Sequence, residues 1–244
     1  MASRIDYLDE TWNPIEGCTA ISEGCKNCWA AGMMKRFRGG MHRPQFRMDR
    51  LPQLMKWRKP RRVGVCFTSD LWHEDVTDSQ RSAVFGMMEN TPEHTYVLLT
   101  KRAEQMADWS ARYLEANECF PRNQWMGVTC ETQKRYDERV PWLLRTRAAV
   151  RWLSLEPLLG PIHFEEQHLL GLHWIVVGCE SGAAKRPLEM EWVKSIARQL
   201  SGTGIALYVK QLPLNGKVNH NPAEFPPLLR CRKFPEYHHL QPKE

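Results

Sequence analysis

Three cysteines stand close together near the N-terminus, in a segment rich in Gly, Pro, Thr and Ser. Cys18, Cys25 and Cys28 lie within TWNPIEGCTAISEGCKNCWA, residues 11–30. Three thiolates suit a four-iron four-sulfur cluster in which one iron stays open for a substrate or cofactor, because soft sulfur ligands favour iron–sulfur chemistry. A structural zinc site needs four protein ligands, and His42 could complete it. Inert thiols are the third interpretation that the spacing allows.

A charged residue stands at or near the end of each of six short apolar runs. Runs rich in Val, Leu, Ile and Trp predict strands buried on both faces, which are typical of parallel sheets. The carboxyl ends of parallel strands face the functional site in α/β folds, so these charges should meet at one mouth. Carboxylates would bind an ammonium group and hydroxyls, and lysines a carboxylate, which suits a zwitterionic ligand. The six charged residues are Asp70, Lys101, Glu131, Glu156, Glu180 and Lys210.

The stretches between these runs carry apolar residues at helical spacing, so the chain alternates strand and helix. A repeat of roughly thirty residues of this kind predicts a parallel sheet with helical crossovers. With a further strand within residues 5–13, there are about seven strands, enough for an incomplete (β/α) barrel with parallel strands and outer helices. A doubly wound open sheet is the alternative. The runs span residues 62–70, 95–102, 124–131, 150–157, 172–182 and 204–211, and the helical stretches span 78–92, 103–116, 132–146 and 190–204.

The chain has 244 residues, of which 42% are apolar, so it can form one large domain. We expect residues 1–212 to form the barrel domain and the proline-rich residues 213–244 to form an irregular tail packed on it. The sequence shows neither a membrane-length apolar run nor the apolar stretch of a signal peptide, which predicts no membrane partner and a cytoplasmic location. In a reducing cytoplasm, its eight cysteines are better explained as ligands, nucleophiles or core residues than as disulfides.

Positive charge is concentrated in one segment of the chain. The net charge is +6, and the segment from Lys35 to Arg62 is dense in Lys and Arg, with Asp49 as its one acidic residue. Such a segment can neutralise phosphates, and its Trp57 and Phe46 could stack on bases. A solvated basic face is the alternative interpretation. The segment therefore predicts a nucleic-acid partner.

A series of motifs occurs in order along the chain: TWNPIEGCTAISEGCKNCWA, TSDLWHEDV, LLTKR, GVTCE, RWLSLEPLLGPI, WIVVGCESG, KRPLEMEWV and VKQL. Together they resemble the phage-associated three-cysteine protein family named after mycobacteriophage gene products. That family is similar to radical S-adenosylmethionine (SAM) enzymes. The resemblance runs from about Thr11 to Gln211, which is nearly the whole chain except the tail.

The resemblance implies a four-iron four-sulfur cluster on Cys18, Cys25 and Cys28, SAM on its open iron, and an external electron donor. Six residues separate the first two cysteines here, whereas the usual radical SAM loop has three, and Asn27 stands where an aromatic is usual. By position, the resemblance assigns the methionyl ammonium to Ser69 and Asp70, the carboxylate to Thr100 and Lys101, the ribose hydroxyls to Thr129 and Glu131, and contacts with substrate or adenine to Glu156, Glu180 and Lys210.

The implied function is a radical SAM enzyme that modifies a nucleic-acid base. Because radical SAM enzymes that rearrange an amino-acid-bearing thymine occur among phage genes, the resemblance favours an isomerase acting on such a base in phage DNA. A base in a duplex would have to be extruded to reach the radical. A tRNA-modifying or repair enzyme of the same class is one alternative. A zinc-stabilised nucleic-acid-binding protein without catalysis is the other.

Overall fold

A computed structural model describes residues 5–114, 118–181 and 184–236 of the chain. Its strands are β1 (Glu10–Trp12), β2 (Ile15–Glu16), β3 (Gln45–Phe46), β4 (Arg62–Val65), β5 (Thr95–Thr100), β6 (Phe120–Thr129), β7 (Ala148–Leu155), β8 (Trp174–Gly178), β9 (Ala206–Leu214) and β10 (Lys217–Asn219). Its α-helices are α1 (Trp29–Arg38), α2 (Asp78–Glu89), α3 (Ala103–Tyr113), α4 (Gln133–Arg145), α5 (Glu166–Leu169) and α6 (Met190–Gln199). Short 3-10 helices span Glu23–Cys25, Met48–Lys56, Pro222–Glu224 and Pro227–Leu229.

The main sheet has eight strands in the order β1-β4-β5-β6-β7-β8-β9-β10. All neighbours from β1 to β9 are parallel, and β10 pairs antiparallel with β9. This order never reverses, whereas a doubly wound sheet reverses direction at a switch point. The predicted α/β fold, an incomplete (β/α) barrel with parallel strands, is therefore confirmed, and the doubly wound alternative is wrong.

Aromatic contacts inside the sheet show how far it curls. The ring of Tyr7, which precedes β1, lies 5.2 Å from Trp174 on β8 and 5.7 Å from Tyr208 on β9, measured between centroids. Tyr7 reaches strands at the far side of the sheet because the sheet bends round towards its own first edge. These rings belong to an inner core that is distinct from the larger core under the helices. The inner core comprises Tyr7, Leu8, Val97, Trp125, Val150, Trp152, Trp174, Val176, Ala206 and Tyr208.

Alternation along a strand carries this inner face up to the carboxyl edge. On β7, Trp152 belongs to the inner core and Leu153 to the outer one. Ser154 and the following Glu156 then continue the inward-facing series at spacings of two residues, and both line a cavity at that edge. The same strand therefore supplies apolar packing at its middle and polar groups at its end.

The four predicted helices are present as α2, α3, α4 and α6. Among the described residues, no helix is both long and apolar enough to span a membrane. The tail differs from the predicted irregular chain, because β9 continues to Leu214 and β10 follows it. Asn215 and Gly216 join them with φ of 50° and 74°, the paired positive φ values of a tight hairpin turn. The boundary at residue 212 stays a prediction.

Gly127 on β6 provides a test of the inner core. A Cβ at this position would lie 2.3 Å from the Trp152 indole, which is itself fixed by donating to the Leu98 carbonyl at 3.0 Å. We expect Gly127→Ala to lower the free energy of unfolding by about 1–3 kcal/mol, because the indole has no room to move. Gly86→Ala on α2 is the control: a Cβ there meets nothing within 4 Å. It should raise stability by about 0.5–1 kcal/mol through helix propensity. Urea denaturation of both variants measures the free energy of unfolding. Equal changes in the two variants would contradict the packing of Gly127 against Trp152.

Candidate functional site

One cavity opens at the carboxyl edge of the parallel strands. The loop that follows β2 forms one of its walls, and the others are formed by the ends of β5 to β7, by the turns after β4, β5, β7 and β8 and by Lys210 within β9. All of the predicted site residues except Glu131 line it. They are Cys18, Cys25, Cys28, Ser69, Asp70, Thr100, Lys101, Thr129, Glu156, Glu180 and Lys210.

The cysteine loop, residues 17–28, starts with a connection to the turn after β4. The Ser69 hydroxyl donates to the Gly17 carbonyl at 2.5 Å, and the two residues form an isolated parallel bridge. Gly17 has a φ of 92°, and a Cβ there would lie 2.5 Å from the His42 carbonyl, so glycine is required. The backbone of Cys18 then donates to that same carbonyl at 2.9 Å. Ser69 therefore acts on the loop backbone in this structure.

Asp70 is buried and fully engaged by neighbouring groups. Its carboxylate accepts from the Thr100 hydroxyl at 2.6 Å, from the Lys101 backbone at 3.2 Å and from the Arg102 guanidinium at 3.2 Å. The Trp72 backbone supplies a fourth donor at 3.0 Å. Four donors fill the acceptor positions of a carboxylate. Asp70 and Thr100 thus hold Arg102 and the end of β5 in place.

Arg102 joins the strand ends to the first cysteine, and no pattern in the sequence marks it as a site residue. Its side chain is only 4% exposed. The guanidinium lies 3.8 Å from the Cys18 sulfur and donates to the Thr19 hydroxyl at 3.0 Å. A further contact at 3.2 Å reaches Glu74. A buried cation needs such partners, because an unpaired one would carry a large desolvation cost.

Glu131 is the predicted site residue that the structure does not bring to the cavity. It is completely buried and accepts from Arg139 at 2.6 Å and from the Ser22 hydroxyl. A Cβ on Gly24 would lie 2.2 Å from a Glu131 carboxylate oxygen, so the loop packs directly against this side chain. Both carboxylate oxygens face the cysteine loop and α4. The contact of Glu131 with ribose hydroxyls stays a prediction.

Glu180 fixes the part of the loop between Cys25 and Cys28. It accepts from the Asn27 amide at 2.9 Å and from the Arg186 backbone at 2.7 Å, and it pairs with the Arg186 guanidinium. Burial alone would raise the pKa of Glu180, but the hydrogen bonds from Arg186 and Asn27 outweigh it and lower the pKa to about 2. Glu180 is therefore a carboxylate that holds the loop while it lines the cavity.

A further ion pair secures the 3-10 helix of the loop. Arg135 on α4 donates to Glu23 at 2.8 Å and 3.0 Å, and the Thr132 hydroxyl adds a bond of 3.0 Å. The hydrogen bonds from Arg135 are the main cause of the lowered pKa of Glu23, about 2. The cysteine loop is thus attached to the barrel at several separate points.

Three charged side chains remain directed at the cavity itself. Lys101 makes no salt bridge or side-chain hydrogen bond with the described residues, and it lines the cavity beside Cys25. Across the cavity, Glu156 accepts from Lys210 at 2.5 Å and from the Gln211 amide at 2.8 Å. The structure therefore offers a lone cation and an ion pair to a ligand.

The thiols differ in their electrostatic surroundings. Burial raises the pKa of the Cys18 thiol to about 11, although Arg102 acts in the opposite sense. Burial would also raise the pKa of Cys25, but the charge of Lys101 and hydrogen bonds from the Ile21 and Ser22 backbone bring it below its usual value. Cys25 is therefore the thiol of this pair that ionises more readily.

The donor set fits a three-thiolate group, but the sulfur atoms do not form a ready-made site. All three thiols are free, partly exposed and on one cavity wall. Within the described residues, no three Cys, His, Asp or Glu side chains converge as metal ligands. His42 does not line the cavity, and its ring contacts the Arg43 carbonyl at 2.7 Å. Although the His42 backbone adjoins Cys18, its ring is engaged by the Arg43 carbonyl and does not join the three thiols as a ligand in the described part of the chain.

The basic segment divides into paired and unpaired cations. Arg43, Arg47, Arg50, Arg61 and Arg62 form salt bridges with acidic residues. The remaining basic residues form none with described acids; they are Lys35, Arg36, Arg38, Lys56, Arg58 and Lys59. The two aromatics assigned to stacking, Trp57 and Phe46, are partly buried and pack against the outer core.

The attachment of Glu180 can be tested through pH. We expect Glu180→Gln to lower the free energy of unfolding by about 1–3 kcal/mol at neutral pH, because it weakens charge-assisted hydrogen bonds. The folded pKa, about 2, lies below the unfolded value of about 4.3. The loss of unfolding free energy relative to wild type should therefore be complete above about pH 5. It should shrink as the pH falls from ~4.3 towards 2. Urea denaturation across pH measures it, with the exposed Glu191→Gln as control. A difference independent of pH would contradict the assignment.

Comparisons with known proteins identify a family. No curated protein matches this chain in sequence. A solved structure, "Spore photoproduct lyase complexed with dinucleoside spore photoproduct", is 13% identical with a TM-score of 0.48. The match covers 86% of this chain and 58% of that one, so this chain spans little more than half of that protein. A likeness this distant says nothing about the chemistry of the site.

One family model matches residues 2–225, and its description does not mention phages. The chain belongs to the family described as "Protein of unknown function (DUF5131)".

Proposed function

We propose that this protein is a radical SAM enzyme that modifies a nucleic-acid base. The observation that carries the proposal is the position of Cys18, Cys25 and Cys28. They lie on one loop at the mouth of an incomplete parallel barrel, and they line the cavity in which the strands end. A four-iron four-sulfur cluster on these thiols would leave one iron for SAM and, with an electron from an external donor, supply a 5′-deoxyadenosyl radical.

The contacts of the predicted site residues favour two different roles for them, positioning of the thiols and binding of the cofactor. Ser69, Asp70 and Glu180 are engaged with the loop or with Arg102, and we assign them to positioning the thiols. Lys101 makes no salt bridge with the described residues and lies beside Cys25, which suits a carboxylate on the cofactor. Thr129 lines the same wall and is the remaining candidate for a ribose hydroxyl.

The opposite wall is proposed to meet the substrate. Glu156 and Lys210 form a partly exposed ion pair there, with side chains 19% and 12% exposed. Such a pair can open to bind a ligand that carries both charges, since each side chain gains a new partner. An amino-acid-bearing thymine has this character, and we propose its isomerisation in phage DNA as the specific reaction. Unpaired cations between Lys35 and Arg62 supply the charge that phosphates require.

Cluster binding is the first prediction of this proposal. Anaerobic reconstitution should give a brown protein with about four iron and four sulfide per chain. Added SAM and a strong reductant should then release 5′-deoxyadenosine. Alanine at Cys18, Cys25 or Cys28 should abolish both, whereas Cys119→Ala, an exposed cysteine outside the cavity, should abolish neither. Colourless wild-type protein with one bound zinc would overturn the proposal in favour of a zinc-stabilised binding protein.

The substrate is tested separately. The reconstituted enzyme, SAM and reductant are incubated with phage DNA that contains amino-acid-modified thymine, and the nucleosides are analysed by chromatography and mass spectrometry. An isomerisation leaves the mass unchanged, so we expect a new retention time at the same mass. Glu156→Gln should slow product formation at least tenfold, because it removes one half of the ion pair. Modification of tRNA but not of DNA under the same conditions would refute the DNA assignment and retain the enzyme class.

A further inference from the structure

We propose that the exposed face of α1 forms a track for single-stranded nucleic acid, with Trp29 as a stacking platform at the cavity entrance. This inference rests on the proposed function, because it concerns how a base would reach the cysteine loop. It names Trp29 and Phe37 as additional contact residues. It also specifies a single-stranded ligand, which the positive charge between Lys35 and Arg62 alone does not indicate.

Two exposed apolar side chains, Ile21 and Trp29, line the cavity, and the exposed Phe37 follows on the same helix as Trp29. In the described part of the chain, seven large hydrophobic residues are exposed, and five of them lie between residues 21 and 55. Trp29 is 47% exposed and Phe37 is 69% exposed. Single exposed apolar residues are normal on a protein, but a concentration of them marks an interaction surface. The five residues are Ile21, Trp29, Phe37, Met48 and Met55.

Positive charge accompanies these apolar groups. Lys35, Arg36 and Arg38 occupy the last turn of α1, and all three are exposed. Favourable interaction with the helix dipole would account for cations at this end of a helix. It would not account for the exposed aromatics Trp29 and Phe37 on the same helix. The combination of cations and aromatics matches phosphates and bases.

The geometry of α1 sets the direction of the track. Ala30 and Met34 are buried and form its inner face. Trp29, Met33 and Phe37 are spaced by four residues, so they share another face. At 1.5 Å of rise per residue, Trp29 and Phe37 lie about 12 Å apart along the helix. Trp29 lines the cavity and directly follows Cys28, so a strand lying along α1 would reach the thiols past the indole.

The exposed aromatic rings favour a single-stranded nucleic acid over a duplex. Bases in a duplex are stacked on each other, so their faces are not available to Trp29 or Phe37. Single strands present free faces, and basic grooves with exposed aromatics are typical of proteins that bind them. An acidic protein would also be attracted by the cations. The flat ring at the cavity mouth favours a base, and the test below separates the two partners.

Stacking is tested by fluorescence anisotropy with a labelled oligothymidylate of about 15 nucleotides and the full-length chain, before and after cluster reconstitution. We expect tighter binding of this oligonucleotide than of a duplex of equal length. Trp29→Ala and Phe37→Ala should each weaken binding about 5- to 140-fold, which corresponds to ~1–3 kcal/mol per stacked base. Leu170→Ala, 91% exposed on a different surface, is the control and should leave binding unchanged. Unchanged binding in both aromatic variants would overturn the proposal.

The contribution of the α1 cations to binding is tested by measuring the affinity for the oligonucleotide at several salt concentrations. A triple alanine variant at Lys35, Arg36 and Arg38 should reduce the slope of log affinity against log salt by about 2, since each single-strand phosphate contact contributes ~0.7. The matched control removes three exposed cations of α4 and α6, Lys134, Lys194 and Arg198, and should keep the slope. An equal slope in both variants, or tighter binding of polyglutamate than of oligothymidylate, would overturn the track. Formation of 5′-deoxyadenosine is measured separately on the reconstituted wild-type protein without nucleic acid. If it forms while the α1 variants bind oligothymidylate as wild type does, the track fails and the enzyme class is retained.

Discussion

The pairing of buried charges with the cysteine loop is the constraint on which the site depends. The loop has little regular structure of its own beyond one 3-10 turn at Glu23–Cys25. Its position is set by side chains that project from the ends of the parallel strands and from the helices behind them. Glu131 and Arg102 are nearly or completely buried, and buried charges persist only where partners satisfy them. The sheet therefore fixes the charges, and the charges fix the loop.

This constraint separates two roles that look alike in the sequence. All six strand-end charges follow apolar runs, yet Asp70, Glu131 and Glu180 direct their oxygens at donors of the protein itself. Lys101 and the pair of Glu156 and Lys210 remain for a ligand. A carboxylate saturated by four donors has no free acceptor position, so proximity to the cavity alone does not make it a binding residue. The charges left for a ligand are thus one cation without a salt bridge to the described residues, Lys101, and one ion pair.

The sequence is sufficient to predict the seven parallel strands of the main sheet, four helices and the convergence at one edge, because these follow from apolar spacing and from the geometry of parallel sheets. It does not predict β2, β3 and β10. It does not reveal Arg102, because its partners Asp70 and Thr19 lie 32 and 83 residues away. Arg139 and Arg186 lie only 8 and 6 residues from their partners Glu131 and Glu180, but no periodicity marks either pair. Helix α1 was missed because its buried face consists of only Ala30 and Met34 within a basic sequence. By contrast, the Asn215–Gly216 pair is a recognisable hairpin signal within the predicted irregular tail.

The contacts of the residues between Cys18 and Cys25 explain the long spacing of these two cysteines. Doubling a flexible loop from three to six residues adds only about 0.6 kcal/mol of closure entropy. The intervening residues include Thr19, Ser22 and Glu23, which contact Arg102, Glu131 and Arg135. Each hydrogen bond to a charged partner contributes about 1.5–3 kcal/mol, so even one such contact exceeds the cost of the longer chain. The residues that lengthen the loop are therefore the ones that hold it to the barrel, and its rigidity rests on side chains rather than on a short backbone.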